Sequence, residues 1–145
     1  MIQVLRASWN LHREQLLAVR REVFINEQNV PEEIEIDELD PIAHHLLALL
    51  SGKEPVGTAR WIIGENKCIR IGRVAVLKSN RRDGIGSLLI QEALSDAKKS
   101  GFLRAHLHAQ VSSIPFYSHL GFKLTDIPEF EEAGIPHREM EIQLA

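Results

Sequence analysis

The chain is poor in cysteine, in aromatic residues and in long apolar runs. Among its 145 residues there is one cysteine, Cys68, and aromatic side chains make up 6%. A lone cysteine excludes an intramolecular disulfide, which favours a reducing compartment. Apolar runs such as 46–50 are far shorter than the roughly 20 residues that span a bilayer. The first residues lack the basic-then-apolar layout of a signal peptide. We therefore expect a cytoplasmic protein with no membrane partner.

The chain also lacks an excess of one charge sign. It has 17 basic and 20 acidic residues, and its formal net charge is −3. Such a balance provides no basic field for a phosphate backbone, so no nucleic-acid partner is expected. The composition, 44% hydrophobic and 26% charged, is that of an ordinary globular domain. A single domain over residues 1–145 is expected, because a chain of this length buries about 68–70% of its unfolded surface.

The spacing of apolar residues predicts alternating strands and helices. A first strand is expected at 2–5, followed by a helix that Asn10 caps and that extends to Phe24. The later elements are expected in this order: strands at 46–50, 56–63 and 69–76, a helix at 85–99, a strand at 102–109, a helix at 112–120, and a strand pair formed by Phe122 and 138–144. A change of apolar parity at Gly72 and Arg73 suits a β-bulge. This order predicts one mixed sheet with helices, of the α/β or α+β class.

An acidic stretch follows the first helix. Six acidic residues lie between Glu32 and Asp40. Charge runs usually lie in solvent, which favours an exposed loop or a short helix. The alternative is a functional one, because carboxylates at the mouth of a site would attract a cationic amine.

A basic turn with two glycines leads from the strand at 69–76 into the helix at 85–99. Amides at a helix N-terminus are unpaired and carry about half a positive charge, and glycine lets a phosphate approach them. Arg81 and Arg82 add donors for a pyrophosphate. The segment lacks the pattern of a P-loop, and a dinucleotide fingerprint would need a small residue in place of Leu89. Taken alone, it also fits a tight turn that feeds a surface helix.

Two motifs resemble those of the GCN5-related N-acetyltransferase (GNAT) superfamily. The acetyl-CoA motif Gln/Arg-x-x-Gly-x-Gly/Ala is matched at every defined position by residues 81–86, Arg-Arg-Asp-Gly-Ile-Gly. The pattern Phe-Tyr-x-x-x-Gly-Phe follows at 116–122. The segments 23–31 and 132–137 are similar to those of the small bacterial branch typified by ElaA and YjcF.

The resemblance implies a single-domain GNAT fold. Its sheet is mixed, mostly antiparallel and flanked by helices, and a splayed parallel strand pair holds acetyl-CoA as the cosubstrate. The implied reaction is direct transfer of an acetyl group from the CoA thioester to the primary amine of a small molecule. Two alternatives stay open, a non-catalytic acyl-CoA sensor and an acetyltransferase of protein or peptide amines. A homodimer is expected by resemblance only.

The resemblance also implies where the cosubstrate binds. Its pantetheine arm is expected to pair with the backbone of the strand at 69–76, and its pyrophosphate is expected on the amides of 82–87. The implied cofactor-binding residues are Val74, Ala75, Val76, Arg81, Arg82, Asp83, Gly84, Ile85, Gly86, Ser87, Gln110 and Phe116. Many relatives carry Asn at the position of Gln110.

Two residues are expected to move protons. Tyr117, the only tyrosine of the chain, matches the family's proton donor to the departing thiolate. His137 is expected to remove the amine proton, because histidine titrates near neutral pH. The ending Gly-Ile-Pro-His at 134–137 also resembles that of glyphosate-type N-acetyltransferases, in which the equivalent histidine is the base. Three carboxylates are weaker candidates for the base: Glu27, Glu131 and Glu132.

The residues expected to bind the acceptor are Arg20, Phe24, Glu27 and Arg73. Arg20 and Arg73 match positions that grip an anionic acceptor in the glyphosate-type relatives, and Arg73 is expected close to the acetyl group. An anionic acceptor and a cationic amine drawn by the acidic stretch both stay open.

Metal and thiol chemistry are not expected. His106 and His108 share one strand face, but no carboxylate or cysteine stands at ligand spacing beside them. Cys68 has no activating partner in the sequence, which disfavours an acetyl-cysteine route.

Overall fold

The computed structural model describes residues 1–144, which form one mixed sheet with helices on both faces. The strands are β1 (Ile2–Ala7), β2 (His44–Leu50), β3 (Glu54–Ile63), β4 (Cys68–Val76), β5 (Arg104–Gln110), β6 (Lys123–Leu124), β7 (Phe130–Glu132) and β8 (Ile135–Gln143). The α-helices are α1 (Trp9–Arg20), α2 (Glu32–Glu35), α3 (Ile85–Lys99) and α4 (Ile114–His119). The predicted fold class is confirmed. Within 1–144, no helix is long and apolar enough to cross a membrane.

The sheet is split between β4 and β5. Its strand order is β1-β2-β3-β4-β5-β8-β6, with β7 paired to β8. Among the strands of residues 1–144, only β4 and β5 run parallel, and their pairing covers Cys68–Ile71 against Arg104–Leu107. Beyond Ile71 the two strands separate, as the resemblance implied. The separation leaves one backbone edge of β4 without a strand partner.

A β-bulge bends β4 at the point of separation. The pairing of β4 with β3 shifts between Thr58 and Arg60. Arg73 has a φ of +52°, a left-handed conformation that is uncommon for a residue with a side chain. The hydroxyl of Thr58 donates to the carbonyl of Arg73 over 3.0 Å and fixes the bend. The predicted bulge is confirmed.

Strand β2 is buried on both faces, which explains its continuous apolar run. Leu46 and Ala48 belong to the cluster that packs under α3, whereas Leu47 and Leu49 pack against Leu16 of α1. The two helices therefore cover opposite faces of the sheet.

Three local features differ from the expectation. The first helix changes after Arg20 into a π-helical segment, Arg21–Glu27, whereas the sequence predicted one uniform helix. Strand β8 begins at Ile135, and β7 joins it through a two-residue turn at Ala133 and Gly134, with φ of +53° and +76°. Such turns favour Asn-Gly or Gly-Gly. Because alanine occupies the first position of the turn, the sequence does not indicate this hairpin.

Candidate active site

A cavity of about 1000 Å³ opens where β4 and β5 separate. Its wall includes the π-helical segment with the acidic stretch, parts of β3 and β5, the bulged half of β4, the turn before α3, α4, and the β7–β8 hairpin. These segments bring most of the predicted site residues to one place.

The free edge of β4 forms one side of the cavity. Val74, Ala75 and Val76 all line it. On their other edge they pair with β3, where Thr58 faces Ala75 and Gly57 faces Val76. Extended backbone with an open edge accepts an extended, amide-bearing ligand as an added strand. This edge therefore fits the pantetheine arm of the implied cosubstrate.

The first turn of α3 presents unpaired amides to the cavity. Gly84 precedes the helix with a φ of +77°, and no side chain caps it. The amides of the first turn have no partner within the helix, and Ile85, Gly86 and Ser87 line the cavity. A Cβ added at Gly86 would lie 3.2 Å from the ring of Phe116. Glycine there lets the helix start and Phe116 share one wall, which fits a pyrophosphate.

The other predicted cofactor-binding residues are distributed unevenly. Arg82 lines the cavity, but Asp83 does not. Gln110 also lines it, and its amide donates to Gln28 Oε1 over 2.9 Å. Gln28 was not expected from the sequence, because its partner lies 82 positions away.

Arg81 is paired with Glu27 across the cavity. Two hydrogen bonds of 2.7 Å join the guanidinium to the carboxylate, and Nε of Arg81 donates to the carbonyl of Val76 over 2.9 Å. The hydrogen bond from Arg81 is the main cause that lowers the pKa of Glu27, against weak desolvation. Glu27 is therefore a poor base.

Tyr117 is buried at the side of the cavity. Its side chain packs edge-to-face with Phe116 and Phe122, at centroid distances of 4.9 and 5.8 Å. Burial raises the pKa of its phenol above the ordinary value. The hydroxyl therefore stays protonated, which is the state that a proton donor needs, while the same shift makes it a weaker acid than an ordinary phenol.

His137 lies on β8 and is 6% exposed. Its Nδ1 lies 2.6 Å from the carbonyl oxygen of Ile135. Because a carbonyl only accepts, Nδ1 carries the proton of the neutral ring. Nε2 is then the free base nitrogen, and it lies 3.9 Å from Glu132. This tautomer is the one that a general base in the cavity needs.

The acidic stretch contains the expected short helix, α2, but two of its carboxylates do not lie in solvent as predicted. Glu35 and Asp40 are 3% and 0% exposed. Arg20, itself 1% exposed, donates to both, with Nε 2.7 Å from Glu35 and Nη1 2.8 Å from Asp40. Arg20 does not line the cavity. Its expected grip on an acceptor is corrected, because the acidic stretch takes up its donors.

Arg73 lines the cavity but is likewise paired. Its guanidinium lies 3.1 Å from Glu35 and 3.2 Å from Asp37. Asp37 also binds Arg60, at 2.8 Å. Partial burial would raise the pKa of Asp37, but the hydrogen bonds and charges of Arg60 and Arg73 lower it to about 2. We call Arg20, Arg60, Arg73, Glu35, Asp37 and Asp40 the ionic network. Its three cations and three carboxylates compensate each other.

The remaining residues that the sequence analysis considered are Cys68, two histidines of β5 and Glu131. Cys68 is buried, and burial raises the pKa of its thiol, which disfavours an acetyl-cysteine route. His106 lies 3.6 Å from Glu139 and outside the cavity. His108 lines the cavity with Glu132, whereas Glu131 is exposed and does not.

Comparison with known proteins gives a consistent family. Residues 10–144 match the family model of the acetyltransferase (GNAT) domain. The chain is 41% identical over 125 residues to the uncharacterized N-acetyltransferase YjcF of Bacillus subtilis, covering 84% of this chain and 86% of YjcF.

Solved structures show the same fold. A putative N-acetyltransferase from Lactobacillus plantarum superposes with a TM-score of 0.91 at 26% identity, over 99% of each chain. Escherichia coli ElaA superposes with a TM-score of 0.83 at 27% identity, over 97% of this chain and 99% of ElaA. The similarity to YjcF and ElaA agrees with the branch that the motifs indicated.

Proposed function

The chain belongs to the GNAT acetyltransferase family, and we propose that it transfers acetyl from acetyl-CoA directly to the primary amine of a small molecule. Acetyl-CoA is the cosubstrate of this family and supplies an activated acyl carbon. One observation carries the proposal. The same cavity holds an open strand edge, an uncapped helix N-terminus, a protonated phenol and a histidine with a free Nε2.

The cosubstrate would be held by backbone more than by side chains. The amides of Ile85, Gly86 and Ser87 bind the pyrophosphate, with Arg82 beside them. The free edge of β4 pairs with the pantetheine arm. Arg81 fixes this edge through its bond to the carbonyl of Val76.

Two side chains carry out the proton transfers of the reaction, one as the acceptor and one as the donor. His137 Nε2 takes a proton from the ammonium form of the amine, and the neutral nitrogen then bonds to the acyl carbon and loses its second proton to solvent. The carbon–sulfur bond breaks, and Tyr117 gives its hydroxyl proton to the departing sulfur. Tyr117 is then reprotonated from solvent and His137 releases its proton to solvent, so both residues return to their starting states.

A small acceptor is favoured by the walls around the acetyl end. The acidic stretch lies on one side, and the ionic network anchors it to α1, β3 and β4. The β7–β8 hairpin lies on the other side with Ile135 and His137. A peptide would need a continuous groove between these two segments.

The cytoplasmic location and the homodimer stay predictions.

Calorimetric titration with acetyl-CoA tests the cosubstrate site. We expect wild-type protein to bind with micromolar affinity, and we expect the double variant Arg81→Ala/Arg82→Ala to bind at least about tenfold more weakly. The variant loses the charged hydrogen bond from Arg82 to the pyrophosphate, which contributes about 1.5–3 kcal/mol, and it also loses the bond by which Arg81 fixes the edge of β4 at Val76. The control is Arg13→Ala/Lys99→Ala, which removes two exposed cations away from the cavity. No binding to folded wild-type protein would refute the proposal.

Replacing Tyr117 by Phe tests the proton donor. We expect kcat to fall by roughly 10²-fold or more, because the departing thiolate loses its acid. Acetyl-CoA affinity and stability should change little, since the ring contacts with Phe116 and Phe122 remain. Thiol release with a panel of amines measures the rate. Ser118→Ala removes an exposed hydroxyl from the same helix and serves as the control. Unchanged turnover would exclude Tyr117 as the acid.

A further inference from the structure

A carboxylate that the proposed chemistry does not use lies between two imidazoles in the cavity. Glu132 Oε1 lies 2.9 Å from His108 Nδ1, and Glu132 Oε2 lies 3.9 Å from His137 Nε2. Phe130 packs edge-to-face with His108 at 4.9 Å and stacks with His137 at 6.0 Å. Strands β5, β7 and β8 therefore hold the three polar groups in one row.

Glu132 is ionised in this row. The hydrogen bond with His108 is the main cause that lowers its pKa. Partial burial opposes this effect, and the charge of Arg70 adds to it. A negative charge thus faces the one nitrogen of His137 that is free to take a proton.

His108 is held by two groups that need opposite partners. Its Nδ1 lies 2.9 Å from Arg70 Nη2 and 2.9 Å from Glu132 Oε1. A guanidinium only donates, and an ionised carboxylate only accepts. Without a proton, Nδ1 accepts from Arg70; with a proton, it donates to Glu132. Either state gives Nδ1 a partner, so His108 can hold Glu132 in place or release it by moving one proton.

We propose that Glu132, oriented by His108, is a positioning residue that acts through His137. It faces Nε2 and stabilises the imidazolium that forms when the amine proton arrives there. The proton then leaves His137 to water and restores the base. This inference rests on the proposed role of His137, and it gives Glu132 a positioning role in place of the role of base for which the sequence made it a candidate.

Of the charged groups around His108, Glu132 is the carboxylate that lies close to His137. Arg70 approaches His108 from β4 and lies 3.8 Å from Glu132. Glu139 of β8 is the register partner of His108, but its carboxylate lies 3.6 Å from His106. The pH dependence of His137 should therefore respond to Glu132 and His108, and not to His106.

Glu132→Gln keeps the shape of the side chain and removes its charge. We expect the acid limb of the kcat/KM profile to move to lower pH, because a carboxylate within 4–6 Å favours the charged imidazole. His108→Gln should move it in the same direction by less. The matched controls are Glu129→Gln, an exposed carboxylate near the hairpin, and His106→Gln, on the same face of β5. Neither control should move the profile.

An NMR titration of the His137 imidazole provides a readout that does not depend on turnover. Its midpoint should move to lower pH in Glu132→Gln and stay in place in Glu129→Gln. A lower rate without a shift in either profile would make Glu132 a merely structural residue and overturn the inference. If His137→Gln retains full activity while the NMR shift is present, the proposed base fails and so does the positioning role, although the coupling itself is real.

Discussion

His137→Gln is expected to lower kcat by roughly 10²–10⁴-fold, which is the usual contribution of a general base. The glutamine amide can still donate to the carbonyl of Ile135, which Nδ1 binds over 2.6 Å. The buried position therefore keeps its hydrogen bond while the basic nitrogen is lost. Acetyl-CoA affinity should stay within a few-fold, because His137 lies at the acceptor end of the cavity. Thiol release under saturating cosubstrate measures the effect, with the exposed His119→Gln as the control.

The pH dependence of this variant separates a base from a structural residue. A primary amine is mostly protonated at neutral pH, and His137 is needed to remove its proton. As the pH rises, more of the amine is neutral, so the deficit of His137→Gln should shrink at alkaline pH. A deficit that is constant across the pH range would contradict the role of His137 as base.

Asp40→Ala is expected to lower the free energy of unfolding by about 3–5 kcal/mol, the usual effect of breaking a buried ion pair from one side. Asp40 is fully buried, with Oδ1 2.8 Å from Arg20 and 2.7 Å from Arg60. Burial opposes its ionisation, but the hydrogen bonds and charges of Arg20 and Arg60 keep its pKa low. Removing it leaves two buried guanidinium groups with an excess of positive charge.

Urea unfolding of Asp40→Ala, with Glu32→Ala as the control, measures this effect. Glu32 pairs with Arg21 at 3.2 Å, but both side chains are about half exposed. Exposed pairs contribute only about 0.2–1 kcal/mol, so the control should lose little stability. If the two variants lose the same amount, the ionic network does not hold the acidic stretch in place.

The parts of the site that could be predicted are those encoded in continuous segments. The turn at 81–86 needs glycines at fixed positions, and α4, which contains Tyr117, needs its own aromatic spacing. The bulge of β4 was visible as a change of parity at Gly72 and Arg73. In each case neighbours in the chain are also neighbours in space.

The ionic network could not be predicted in the same way. Asp40 lies 20 positions from Arg20 and 20 positions from Arg60, on different elements. In the sequence the acidic stretch shows only its own charges, and these favour solvent unless partners are known. The sequence gave no indication that Arg60 belongs to the ionic network, because this residue lies in a mostly apolar strand.

The same limit applied to Glu132 and His108. They lie 24 positions apart and meet only because the β7–β8 hairpin folds back onto β5. The alternation of His106 and His108 on one strand face was visible, but the carboxylate came from a strand whose turn has an unusual residue, Ala133. A predicted hairpin there would have suggested the pair.

The split in the sheet has a consequence for how the enzyme holds together. Four residue pairs, from Cys68 with Arg104 to Ile71 with Leu107, are the whole strand contact between the first four strands and the last four. A pantetheine arm that lies along the free edge of β4 would extend this short strand contact. Bound acetyl-CoA would thus hold the two halves of the sheet together as well as react. Release of CoA would weaken this contact at the end of each turnover, and binding of the next acetyl-CoA would restore it.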